Sequence, residues 1–240
     1  MRQPAIKRAR DADSARAAIL AAAEQIFAQR GFTGARVDEI AEASGYNKSL
    51  IFHYFDDKLG LYRAVVGRCK AEIGVALGRL LEPFLADESA PLYAAQVRAF
   101  TESAVRWSFS FYLANPLNLR VLGWEMAEGW RTFALRQTPG AERPWLEGVR
   151  QLLRRAGAAG IIRRELDPDL LLANLIGMPL AYLLSIPRYE LFFPGVDLTS
   201  DEALARAREQ MVALVLHGIL PDPMPDLTPG STHGPRPESG

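Results

Sequence analysis

Residues 37–55, VDEIAEASGYNKSLIFHYF, decide how this chain is read. Val37, Ile40 and Ala41 stand at the spacing that gathers side chains on one face of a helix. Gly45 supplies the backbone freedom that a tight turn between helices needs. Asn47 has the side chain of an N-cap, and Leu50, Ile51, Tyr54 and Phe55 give a second helix its own buried face. Between those apolar positions stand Lys48, Ser49 and His53, donors suited to phosphates and base edges. Two short helices joined at a glycine, the second polar on its outer side, form a helix-turn-helix whose second helix is a candidate DNA reader.

Upstream, Ile19, Ala23, Ile26, Phe27 and Arg30 recur at steps of three and four, which predicts a helix over 15–30 between Ser14 as N-cap and Gly31 as C-cap. Residues 1–13 read as a flexible arm, basic through Arg2, Lys7, Arg8 and Arg10. Arg36 opens the first helix of the motif, where its guanidinium and the amides of that turn can meet one phosphate. Downstream, Asp56 and Asp57 are N-cap candidates for a helix carrying Leu59, Leu61, Tyr62, Val65 and Val66. Lys58 stands in its first turn, against the helix dipole, which points to an anionic partner. This helix runs on through Leu77, Leu80 and Leu81 to Pro83, and so belongs to both parts of the protein.

From Leu92 onward the pattern is helical, with no strand alternation. Helices are expected over 92–114, over 117 to about 133 with Gly123 and Gly129 as weak points, and over 145–158. A polar, proline-flanked loop spans 138–144. Asp167-Pro168 starts a helix whose apolar members, among them Leu170, Leu171, Leu175, Ile176, Leu180 and Leu183, circle nearly its whole circumference; such a helix must be buried in its own domain or against another chain. A loop over 189–199 and a last helix over 202–217 follow. The Pro-, Gly- and Ser-rich stretch 221–240 reads as a disordered tail. The expected division is a helix-turn-helix domain at 14–60 and a larger helical domain at 61–220, an all-α, two-part chain.

The 240 residues suffice for a small module and a larger domain. Hydrophobic residues at 49% and charged residues at 23% exclude wholesale disorder. Net charge is +0, so any DNA contact must come from local positive charge. Cys69 is the only cysteine, which excludes an intrachain disulfide and fits a reducing cytoplasm. Neither a signal peptide nor an uninterrupted apolar run of roughly 18 residues is evident, so no membrane association is expected. His53, His217 and His233 lie far apart in the sequence and none has a second ligand at helical spacing, so no metal site and no cofactor are expected. Neither a phosphate loop nor a Ser, His and Asp set points to an enzyme. The aromatics Trp107, Phe109, Phe111, Tyr112, Trp124 and Trp130, interleaved with Arg120 and Glu128, read either as core or as an apolar pocket with a few orienting polar groups.

The N-terminal region closely resembles the TetR family of bacterial transcriptional regulators. The matching stretches are AAILAAAEQIFAQRGF, VDEIAEASGYNKSLIFHYF and DDKLGLYRAV. Phe52, Tyr54, Phe55, Lys58, Leu61 and Tyr62 fill the family's pattern at the end of the reading helix and after it. The turn reads Gly45-Tyr46-Asn47-Lys48 where the family more often has Gly-Val-Ser-Lys, and Ala35-Arg36 stand where many members have Thr or Ser. The resemblance implies a homodimer formed through the last two long helices, middle helices enclosing a small-molecule effector, and a double-stranded DNA operator. The expected DNA contacts are Arg36, Tyr46, Asn47, Lys48, Ser49, His53, Tyr54 and Lys58. The expected effector contacts are Trp107, Phe111, Arg120, Trp124, Glu128, Asn174 and Met178. Together these describe a ligand-responsive regulator of the repressor kind; the competing reading is a helical small-molecule-binding or degrading protein whose first module is structural.

Overall fold

Helix α1 (Gln3–Gly34) carries the first surprise. It begins at Gln3, so residues 3–13, expected as a flexible arm, are helical. The reason is local: Pro4 stands in the first turn, where its missing N–H costs nothing, and the Ala, Lys and Arg that follow are strong helix formers. The computed structural model describes residues 3–85, 91–130, 132 and 144–221, with side chains from residue 11 onward except those of 85, 144 and 145. The expected loop at 138–144 therefore lies, before Pro144, outside the described residues, as does the expected tail beyond Pro221. At Gly31 the backbone leaves the helix (φ 66°, ψ −178°), the break expected of a C-cap glycine.

Helices α2 (Val37–Ser44) and α3 (Lys48–Phe55) form the helix-turn-helix, and α4 (Lys58–Leu85) follows. Ile19, Ala23 and Phe27 of α1, Ile40 of α2, Ile51 and Phe55 of α3 and Leu61, Tyr62 and Val65 of α4 close one core. Phe27 meets the Tyr62 ring edge-on at 4.9 Å. Because α4 supplies Leu61, Tyr62, Val65 and Val66 to this core and Cys69 and Leu81 to the next, the expected boundary at 60/61 falls at the start of a helix that serves both. Pro83 does not end α4. The helix reaches Leu85, although a proline beyond the first turn removes one hydrogen bond and crowds the carbonyl four residues before it.

The second core is built by α5 (Ala94–Ala114), α6 (Pro116–Ala127), α7 (Pro144–Ala158), α8 (Pro168–Phe192) and α9 (Asp201–Ile219). Among the described residues there is no strand. Helix α6 stops at Ala127, earlier than expected, because Gly129 (φ 73°) and Trp130 (φ 60°) turn left-handed and Trp130 N–H donates to the Glu125 carbonyl at 2.7 Å. Asp167 caps α8 by accepting from Asp169 N and Leu170 N, and Ser200 caps α9 through Ala203 N. Helix α8 runs through Pro179 and Pro187 to Phe192, so the loop expected from 189 begins only after it. By length and composition α8 could cross a membrane. Its Leu171, Leu172, Leu175, Leu180 and Leu183 instead pack into the second core, while Leu170, Ile176 and Met178 stay exposed.

The two cores are joined through α6. Val121 of α6 belongs to the first core and Leu122 to the second. Trp124 lies on Gly31, where an added Cβ would come within 2.8 Å of the indole. Its Nε1–H donates to the Ala28 carbonyl at 3.3 Å, in the turn before the break in α1. Beside this contact the Glu24 carboxylate of α1 pairs with Arg68 of α4, Arg68 lies 3.6 Å from Glu72, and Asn118 of α6 donates to Glu72 at 2.9 Å. Glu24 and Asn118 are buried, so one polar chain ties the reading module to the larger domain.

Candidate nucleic-acid interface

The turn between α2 and α3 is made by Gly45 (φ 74°, ψ 14°), whose amide and that of Tyr46 return to the carbonyls of Glu42 and Ala41. Asn47 then caps α3, its side-chain oxygen accepting from Leu50 N at 2.9 Å. With Ile51 and Phe55 buried, the helix turns Lys48, Ser49, Phe52 and His53 outward, all exposed. Tyr46 and Tyr54 are half-buried at the edge of the reading module, the Tyr54 ring tilted 5.4 Å from His53. Arg36 holds the N-cap position of α2, is exposed, and has no partner among the described residues.

Three expected DNA contacts are engaged within the protein. Lys48 pairs with Asp38 of α2 at 2.6 Å, and both side chains are about half exposed. This pair fixes the ammonium at the start of α3 and can open toward a phosphate at little cost, since exposed ion pairs contribute roughly 1 kcal/mol or less. Lys58 is not left seeking an outside anion. Its ammonium donates to the Thr33 carbonyl at 3.4 Å and lies 4.8 Å from the Phe32 ring centroid, so the carbonyls at the end of α1 are its counterpart. Asn47 likewise spends its oxygen on the cap, which leaves only its amide donors to face outward. Phe52, 40% exposed on the same face as Lys48, was missing from the expected contacts; its place four residues after Lys48 is the signal that could have found it.

The expected effector contacts do not come together. Trp107 stacks on Phe111 at 5.0 Å, both half-buried on α5. Trp124 lies against α1, Glu128 is half-buried, and Arg120, Asn174 and Met178 are exposed. Helical rotation explains this: an aromatic-rich stretch spreads its side chains around the axis, and the neighbouring helices, not the spacing, decide which turn inward. A carboxylate is buried in this region, Glu125, fully enclosed beside Tyr62. Burial, and then the Glu125 carboxylate, push the Tyr62 hydroxyl far above its ordinary range, so it is a neutral donor at every working pH. Among the described residues no group of three or more His, Cys, Asp or Glu is placed to hold a metal ion.

Comparison with known proteins gives the arrangement its relatives. Residues 19–65 match the family described as bacterial regulatory proteins, tetR family, and residues 99–215 match the tetracyclin repressor-like C-terminal domain. The HTH-type transcriptional repressor NicS of Pseudomonas putida is 26% identical over 214 residues, 88% of this chain and 95% of NicS. The HTH-type transcriptional repressor BepR of Brucella suis is 38% identical over 60 residues, 25% of this chain and 29% of BepR, so that match spans less than a third of the relative. A putative transcriptional regulator from Streptomyces coelicolor, SCO4942, shares the fold with a TM-score of 0.60 at 24% identity, covering 85% of this chain and 97% of its own. With the reading module and the larger domain both matched, and in that order, the chain belongs to the TetR family of bacterial regulatory proteins.

Proposed function

We propose that the protein is a transcriptional repressor that binds a near-palindromic operator as a homodimer and is released by a small-molecule effector held in its larger domain. The observation that carries this reading is α3: an Asn-capped helix anchored by Ile51 and Phe55, with Ser49, Phe52 and His53 exposed and Lys48 held by an exposed pair with Asp38 on the face that would enter a major groove. Arg36, at the amino end of α2, would hold a phosphate. In a chain of net charge +0 these few donors carry most of the contact. Two copies of α3 fit successive grooves roughly 34–36 Å apart, which sets the half-site spacing.

Support for the dimer comes from α8 and α9, whose Leu170, Ile176, Met178 and Leu214 remain exposed on a single chain. Leaving this much apolar surface in water is costly, and the two helices of a second copy would cover it. Effector and operator act against each other only if the effector prefers one arrangement of α4, the helix that enters both cores. The test is a gel shift with the DNA upstream of the protein's own gene. A discrete complex is expected, weakened by Lys48→Ala, with a salt slope lower by about one phosphate contact. A folded dimer that binds no fragment at low salt would remove the regulator reading.

A further inference from the structure

We infer that a cavity against α4 binds a small oxyanion, a carboxylate or a phosphate, through Arg63, Lys70 and Thr132. The inference deepens the effector proposed above and rests on it only for its regulatory meaning. Arg63, Val66, Gly67 and Lys70 follow one another along a single stripe of α4, at intervals of three and four. Across from them stands Thr132, 8% exposed, and together these five residues line a cavity of about 180 Å³. That volume is enough for a phosphate or a short organic acid, since about 10–15 Å³ on the same measure admits one water. The lining has Arg63 and Lys70 and no acid, and Lys70 has a contact of its own within the protein.

Arg63 makes the case specific. Its side chain is half-buried, and its Nε is shielded from solvent without a hydrogen-bond partner. Among the described residues it forms no ion pair, although the half-buried Glu128 precedes Thr132 by one turn. A buried charged donor left unmade is costly, and a guanidinium presents the fork that a carboxylate or phosphate fills with two parallel bonds. Lys70 adds charge two turns along, the Thr132 hydroxyl can donate to a second oxygen, and Val66 offers an apolar wall to the rest of a small acid. The stripe begins directly after Tyr62, which belongs to the reading core, and Cys69 beside it belongs to the other. An anion here therefore fixes α4 where the helix passes from one core to the next.

The test titrates the full chain by calorimetry with acetate, succinate and inorganic phosphate, and with succinamide as the uncharged counterpart. Saturable binding of a carboxylate or of phosphate is expected, with the stronger of the two naming the source, and none of succinamide. Arg63→Gln should weaken it about tenfold or more, and Thr132→Val severalfold. Should Arg63→Gln fail to fold, Arg63→Lys keeps the charge and removes the fork, and the same loss is expected. Absence of saturation by any of the three anions below about 10 mM, or binding unchanged in the Arg63 variants, overturns the inference. A gel shift on the same preparations separates the two readings: operator binding without anion binding sinks this site alone, and anion binding without operator binding sinks the regulator alone.

Discussion

Gly31 shows how much one residue can hold. Its φ of 66° with ψ of −178° lies in a region that is essentially glycine's alone, at a cost of about 1–3 kcal/mol for any other residue, and Trp124 occupies the space where a Cβ would go. Gly31→Ala should therefore destabilise the protein by roughly 2 kcal/mol or more, read as a fall in melting temperature on the order of 4–8 °C. Trp124→Phe leaves the ring contact and removes the donor to the Ala28 carbonyl, so a smaller loss of about 1 kcal/mol is expected in a denaturant titration. If both variants melt like the parent, the indole is not the fastening between α1 and α6. Gly60 is constrained more severely, since a Cβ there would sit 2.0 Å from the Phe55 carbonyl; it lets α4 leave α3 within two residues of Asp57, whose carboxylate caps the new helix through Gly60 N.

At the scale of elements, α4 is where the two halves are coupled, and its chemistry gives a pH signature. Burial pushes the Cys69 thiol up to about 12, and burial does the same to the Tyr112 hydroxyl on α5. In the unfolded chain both would lose their protons at lower pH, so the unfolded state binds fewer protons than the native one from about pH 9 upward. Stability should be flat near neutrality and fall between about pH 9 and 12. Cys69→Ser should lessen that slope, and a thiol reagent should label Cys69 only as fast as the chain opens. A flat alkaline profile would show that neither group stays buried. The reading module was legible in the sequence because its signals are local: Gly45, the Asn47 cap and the apolar periods of Ile40, Ile51 and Phe55 act within a few residues. The passage of α8 through two prolines and the internal engagement of Lys58 were not, because each depends on what packs nearby. The same holds for Trp124, Asn174 and Met178, whose directions are set by neighbouring helices. A pair of cations such as Arg63 and Lys70 reads in sequence as a solvated helix face until Thr132 is seen opposite.

At the scale of the whole molecule, the exposed half of α8 and α9 decides whether one reading helix can work. A single α3 offers few donors, and a chain without net positive charge has no general attraction to DNA with which to supplement them. Two copies held in register gain the second set at a high effective concentration, provided the spacing fits. Leu214 is 69% exposed on α9 and Leu170 is 67% exposed on α8, although both are large and apolar. Glutamates at these places leave the fold of one chain untouched and set like charges against each other across a two-fold interface, where every contact is repeated. Leu170→Glu with Leu214→Glu should therefore shift the protein from dimer to monomer in light scattering without lowering its helical content. Operator affinity should fall by orders of magnitude, while binding to a single half-site stays as weak as the parent's. A double variant that remains a dimer would place the interface elsewhere, and one that binds the full operator as a monomer would show that α3 reads DNA without a second copy.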